Sequence, residues 1–236
     1  MGAGIDFYEP GAEPDTQFRF RSSHGVNVWT EGQASLLPAM SAAVTSLSGT
    51  GRVAHYRHAG ADGYVLGHAT SMRRYNAAGT LQATSAALAG VILGPVTGVA
   101  GRTYHSTASA ITYLDWSGGG VPTSTAVRTT AAAPTAMAVV KHRLIVCVGR
   151  SVYWVANTGA GGVIGEGDDL LVHTHPDENW VWNGIAETSD SILLTGNDGV
   201  SSRVYSLSIG NDTDVPEFDS PVEILQLPPG EIINDL

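Results

Sequence analysis

The chain has 236 residues, 43% of them hydrophobic and only 14% charged, with 29 glycines, one cysteine and a formal net charge of −10. This composition supports one sizeable core, argues against a charge-laced helical bundle and leaves no intrachain disulfide. Residues 161–236 hold fifteen acids and one base, Arg203, while the eleven bases of residues 17–160 are scattered singly, so no basic groove for nucleic acid is expected.

Residues 1–16 read as an acidic, proline-bearing arm ahead of a single domain over 17–236. Asp6 and Glu9 interrupt any apolar leader, so no secretory signal is expected, and Asp6 stands where myristoylation needs Ser or Thr. Phe18 and Phe20 then alternate with Arg19 and Arg21. After a turn at 22–25, Val26 and Val28 alternate with Asn27 and Trp29, which predicts a half-buried hairpin. The Ala/Leu/Met-rich stretch 32–47 suggests a short helix, interrupted by Pro38. From 75 to 101 no charge occurs, but Gly79, Gly90, Gly94, Pro95 and Gly98 break the run into strands and turns, so neither a membrane span nor membrane insertion is expected.

The rest is organised by a phrase used four times: an apolar run, a short break, and a second run carrying a tyrosine. It occupies 63–69 with 71–77, 102–107 with 110–115, 143–149 with 151–156, and 191–196 with 202–209. The tyrosines are Tyr75, Tyr113, Tyr153 and Tyr205, spaced by 38, 40 and 52 residues. A four-stranded propeller blade takes about 40–50 residues and cannot bury both faces alone. The pattern therefore predicts an all-β, β-propeller-like fold of four to five four-stranded blades. Each phrase would be preceded by an inner strand and followed by an outer one, as 181–187 and 222–227 would be in the last unit. Residues 230–236 look like the inner strand of one more blade. Either the 18–29 hairpin completes that blade and closes five, or the ring is incomplete and a longer propeller is cut at Leu236.

The densest set of metal-ligand types is His173-Thr174-His175-Pro176-Asp177-Glu178. Two histidines at i and i+2 on a strand share a face, so His173, His175 and Asp177 are the zinc candidates. The triplet departs from the isopeptidase zinc pattern at Gly184 and Glu187. It departs from the metallo-β-lactamase pattern at Glu178, and no histidine follows His175. The plainer reading is the exposed end of an outer strand. Asp212, Asp214 and Asp219 are the calcium candidates, in a segment without EF-hand spacing that otherwise reads as a solvated loop. Asn197-Asp198-Gly199 reads as a hairpin turn.

The glycine-rich 159–165 lacks the third glycine of a dinucleotide fingerprint, where Ile164 stands, and an acidic turn follows, so no cofactor is expected. Cys147 lies in the apolar run 144–148 with only His142 near it in sequence, and it reads as an inert buried thiol. Trp29, Trp116, Trp154, Trp180 and Trp182 either line a sugar-binding surface or pack between blades, the second being commoner. No catalytic residue is assigned. A propeller glycosidase with paired carboxylates, a metal-dependent hydrolase using His173 and His175, and a cellular carbohydrate-binding module remain as alternatives.

The segments KHRLIVCVGRSVYWV, beginning at Lys141, and HTHPDENWVWNGIAETSDSILLTGNDGVSSRVYSLSI, beginning at His173, resemble minor tail proteins of long-tailed phages infecting actinobacteria. QFRFRSSHGVNVWTEGQASLL, from Gln17, is a shorter echo, so the likeness covers about half the chain through segment order and not through a diagnostic motif. It implies a non-enzymatic virion component at the tail, with other tail proteins and a host cell-surface glycan as partners. The eleven arginines against one lysine, Lys141, agree with a GC-rich actinobacterial host. The resemblance carries no catalytic residue.

Overall fold

The computed structural model describes residues 53–68, 70–88, 90–98, 101–156, 161–188, 191–208 and 218–233, with the backbone of four short strands nearer the N-terminus. The chain divides into two compact units, Met1–Thr45 and Ser46–Leu236. In the first, β1 (Asp6–Phe7) pairs antiparallel with β2 (Phe20–Ser22), and β3 (Val26–Asn27) pairs with β4 (Ser35–Leu36). The expected hairpin thus has other partners on both arms. Alternation fixes which side chains share a face but not which strand pairs with which, and the break at 22–25 lacks the Asn-Gly or Asp-Gly pair that forces a tight turn. Ser35 and Leu36 are strand, not helix; the remainder of 32–47, and the arm 1–16 apart from β1, lie outside the described residues.

The second unit is all-β, and no helix occurs among its described residues. It consists of four antiparallel four-stranded sheets in chain order. The first sheet is β5 (Val53–His58), β6 (Ala61–His68), β7 (Ser71–Asn76) and β8 (Leu81–Thr84). The second is β9 (Leu93–Thr97), β10 (Arg102–Ser106), β11 (Ala110–Asp115) and β12 (Thr125–Thr129). The third is β13 (Ala136–Val140), β14 (Arg143–Val148), β15 (Ser151–Val155) and β16 (Leu170–Thr174). The fourth is β17 (Val181–Glu187), β18 (Ser191–Asn197), β19 (Ser202–Ser208) and β20 (Val222–Gln226). The repeated phrase is the central strand pair of every sheet. The uncharged stretch supplies β8 and β9, as its glycines imply.

First strands neighbour first strands, β5 against β9, β9 against β13 and β13 against β17, which is the radial stacking of a propeller-like array. The described residues do not close a ring. Three cores lie between successive sheets. Tyr56, Val65 and Met72 of the first meet Leu114 and Trp116. Tyr104, Ile111 and Val127 of the second meet Met137, Leu144, Val146 and Val155. Ile145, Cys147, Val152 and Trp154 of the third meet Trp182, Ile192, Leu194, Tyr205 and Leu207. Strand β14 therefore sends Leu144 and Val146 one way and Ile145 and Cys147 the other. Burial on both faces is why its sequence is continuously apolar from Leu144 to Val148 instead of alternating.

Residues 230–233 are not strand, which corrects that part of the expected inner strand 230–236; 234–236 lie outside the described residues. The Gly230 amide donates to the Val200 carbonyl at 2.8 Å and the Ile233 amide to Ser202 Oγ at 2.9 Å, while Asn183 Nδ2 donates to the Ile233 carbonyl. Polar anchors on the fourth sheet hold this segment, and their bonds replace the ladder a new strand would need.

Candidate functional site

The histidine cluster is built by the crossover from the third sheet to the fourth. After β16 the chain turns at Pro176, and the His175 amide donates to the Arg150 carbonyl at 2.9 Å, so His175 lies beyond the strand end and is buried. Its ring stacks on Trp180 at 4.1 Å with a 19° interplanar angle, and Trp182 and Tyr205 meet it edge-on. The Asp177 amide donates to Nδ1 at 3.2 Å, which leaves Nε2 carrying the proton toward the Tyr205 hydroxyl, also at 3.2 Å. Burial, then the neighbouring His173, push the His175 pKa down, and burial alone lowers that of His173. With both His175 nitrogens engaged, the ring stays neutral and wedges two sheets together.

The reading of this stretch as an exposed strand end is corrected for His175: apolar neighbours on the next sheet draw the ring inward. His173 reaches the edge of Trp182, 6.2 Å between centroids. Among the described residues no group of three His, Cys, Asp or Glu side chains is disposed to hold a metal ion. Asp212 and Asp214 lie outside the described residues, and Asp219 is exposed.

Other motifs also resolve into packing. Trp116, Trp154, Trp180 and Trp182 are buried, so they present no open face to a sugar, and Trp29 lies outside the described residues. Cys147 is fully buried, which pushes its thiol pKa up, away from the reactive thiolate. His142 is exposed at a turn. Asp198 receives the amides of Val200 and Ser201 at 2.8 Å each, making the expected turn between β18 and β19.

The described part of the glycine-rich loop, 161–165, runs beside β12, with Val163 bridging Thr129 in parallel. It is pinned by a buried ion pair that sequence reading missed. Arg128 Nε and Nη2 donate to Asp169 Oδ2 and Oδ1 at 2.9 and 3.0 Å, and Arg128 Nη1 donates to the Gly161 carbonyl at 2.7 Å. Asp169 also accepts the Ala156 and Gly165 amides. The separation of 41 positions between the partners leaves no local signal.

Sequence reading also missed His105 and Ser124, whose Nε2 and Oγ lie 3.2 Å apart. Burial lowers the His105 pKa to about 4. That makes it a weak base, and Nδ1 has no hydrogen-bonding group to orient it, so the pair lacks the third member of a nucleophilic relay.

The described residues also form open clefts, two of which lie at strand ends. One, of about 320 Å³, lies where β9, β13 and β17 end and is lined by Thr97, Gly98, Val139, Lys141, His142 and Glu187. Lys141 and His142 form its rim in left-handed backbone, φ 46° and 66°, at a two-residue turn that ordinarily favours Asn-Gly. The other, of about 290 Å³, follows β11 and includes Tyr113, Asp115, Ser117, Thr123 and Thr125. There Ser117 donates to Asp115 through its amide at 2.9 Å and its hydroxyl at 2.5 Å, and Arg102 Nε stands 3.9 Å from the other carboxylate oxygen. The hydrogen bond from Ser117, reinforced by the Arg102 charge, lowers the Asp115 pKa. Arg102 also lies over the Tyr113 ring, 4.3 Å from its centroid.

Fold and surface together define an all-β repeat protein of propeller-like construction, with polar clefts at strand ends. The chain matches no protein-family model and no curated protein. No helix among the described residues is long and apolar enough to cross a membrane.

Proposed function

We propose that this chain is a structural or adhesive component of a phage tail, acting in tail assembly or host-surface contact. The resemblance of the segments from Lys141 and His173 to minor tail proteins motivates the reading. The observation that carries it is the outer strand β20. All five of its residues are exposed, and Val222, Ile224 and Leu225 are 62%, 55% and 49% accessible. An apolar outer edge of this kind invites coverage by a neighbouring protein. By contrast, the edge of β12 is already covered by the loop at Val163.

The interior histidines and the cysteine support a scaffold role, since burial and packing occupy them. The test is immunogold labelling of intact particles with an antibody against the chain, together with incorporation of Ile224→Lys. Tail labelling, and loss of incorporation in the variant with unchanged folding, are the expected results. Absence of the chain from purified particles refutes the proposal.

A further inference from the structure

We infer that the cleft following β11 is a saccharide subsite, formed by Tyr113, Asp115, Ser117, Thr123 and Thr125. The inference deepens the adhesive reading above and rests on it for biological context. Its chemical argument stands on the cleft itself.

Besides Gly118 and Gly120, the lining contains one carboxylate, three hydroxyl side chains, one half-buried aromatic ring and the apolar Val121 and Pro122. A carboxylate only accepts hydrogen bonds, whereas hydroxyls both donate and accept. Ser117 fixes Asp115 through Oδ1, leaving Oδ2 with acceptor capacity beside Arg102. A ligand that fits must present several neutral hydroxyl groups to such a set, and an apolar flank to the ring. A phosphate or other anion meets the charge of Asp115. A divalent cation finds only one carboxylate among the lining residues. A sugar ring offers hydroxyls to the polar groups and its C–H face to Tyr113, Val121 and Pro122.

The loop beyond the ring is built to stay open. A Cβ placed on Gly118, Gly119 or Gly120 would meet no atom within 4 Å. At about 290 Å³ the cleft matches the small end of ligand pockets, roughly 300–1,000 Å³, which suits one or two sugar rings. Trp116, the residue after β11 and next to Asp115, is held by its Nε1 donating to Thr103 Oγ1 at 2.9 Å, which anchors the end of the strand.

Saturation-transfer NMR of the purified full chain tests the proposal, with glucose, galactose, mannose, arabinose and N-acetylglucosamine as separate probes. Transfer to at least one is expected. Asp115→Asn is expected to weaken binding about tenfold or more, as loss of a hydrogen bond to a charged group does. Gly120→Trp, which fills the cleft from an exposed loop, is expected to abolish transfer, and His142→Asn at the other cleft to leave it unchanged. Thermal unfolding of each variant reports folding, and Asp115→Asn carries the test if Gly120→Trp is destabilised. No transfer to any of the five sugars, or transfer indifferent to both cleft variants, overturns the inference. A chain that labels phage tails but binds no sugar refutes this subsite alone. One that binds sugar but is absent from particles refutes the tail reading alone.

Discussion

Replacing Asp169 with alanine isolates the interaction on which the third sheet's long loop depends. The Asp169 side chain is 0% exposed and that of Arg128 9%, so the variant leaves a guanidinium buried without its counter-ion. The Ala156 and Gly165 amides lose their acceptor as well. Breaking a buried pair from one side costs about 3–5 kcal/mol. For a unit of this size, each kcal/mol moves Tm by about 2–4 °C, which gives a fall of roughly 6–20 °C. Asp169→Asn keeps a carbonyl acceptor but turns an amide donor toward Arg128, so it is expected to be nearly as damaging. Arg128→Met combined with Asp169→Leu removes both charges and is expected to recover most of the loss. Urea unfolding followed by circular dichroism gives all four stabilities. A shift below about 1 kcal/mol for Asp169→Ala, or a double variant no better than the single, would refute the claim that desolvated charge governs this loop.

His105, with its pKa lowered to about 4 from an unfolded value of 6.5, binds a proton more readily in the unfolded chain between those limits. Stability is therefore full above about pH 6.5 and falls by about 3 kcal/mol as pH drops toward 4, a slope that His105→Gln should flatten in urea titrations. Gly196→Ala places a methyl 2.6 Å from the Trp180 indole, and the overpacking is expected to cost about 1–3 kcal/mol, read as a lowered urea midpoint. Asn183→Ala removes the donor to the Ile233 carbonyl and a bond with Thr195, and faster hydrogen exchange at the Ile233 amide should report release of that segment.

Much of the architecture was legible because repetition is a signal that one sequence carries by itself. The four tyrosines sit on the third strand of each sheet, and 181–187 was anticipated as an inner strand with the bounds it has. The failures share a cause. Pairing of the N-terminal strands, the course of 230–233 and the burial of His175 all depend on which distant surface arrives, and local alternation is silent on that. The cleft beside Asp115 was hidden for the same reason: Arg102 and Tyr113 are eleven residues apart, yet antiparallel register brings the guanidinium onto the ring.

A sheet's place in the stack is also written in its pattern. Strand β14 is covered on both faces and is apolar from Leu144 to Val148, whereas the fourth sheet divides its residues: Trp182, Ile192, Leu194 and Leu207 join the core shared with the third. On the opposite face Thr195 Oγ1 donates to Asn183 Oδ1 at 3.0 Å, and Asn183 and Ser202 bind Ile233. Thr195 and Ser202 are nonetheless buried, as is Val204, which pairs with Thr195 on the same face. Among the described residues, this second face of the fourth sheet thus joins hydrogen bonds to the buried Val204, whereas the faces between successive sheets are packed with hydrocarbon.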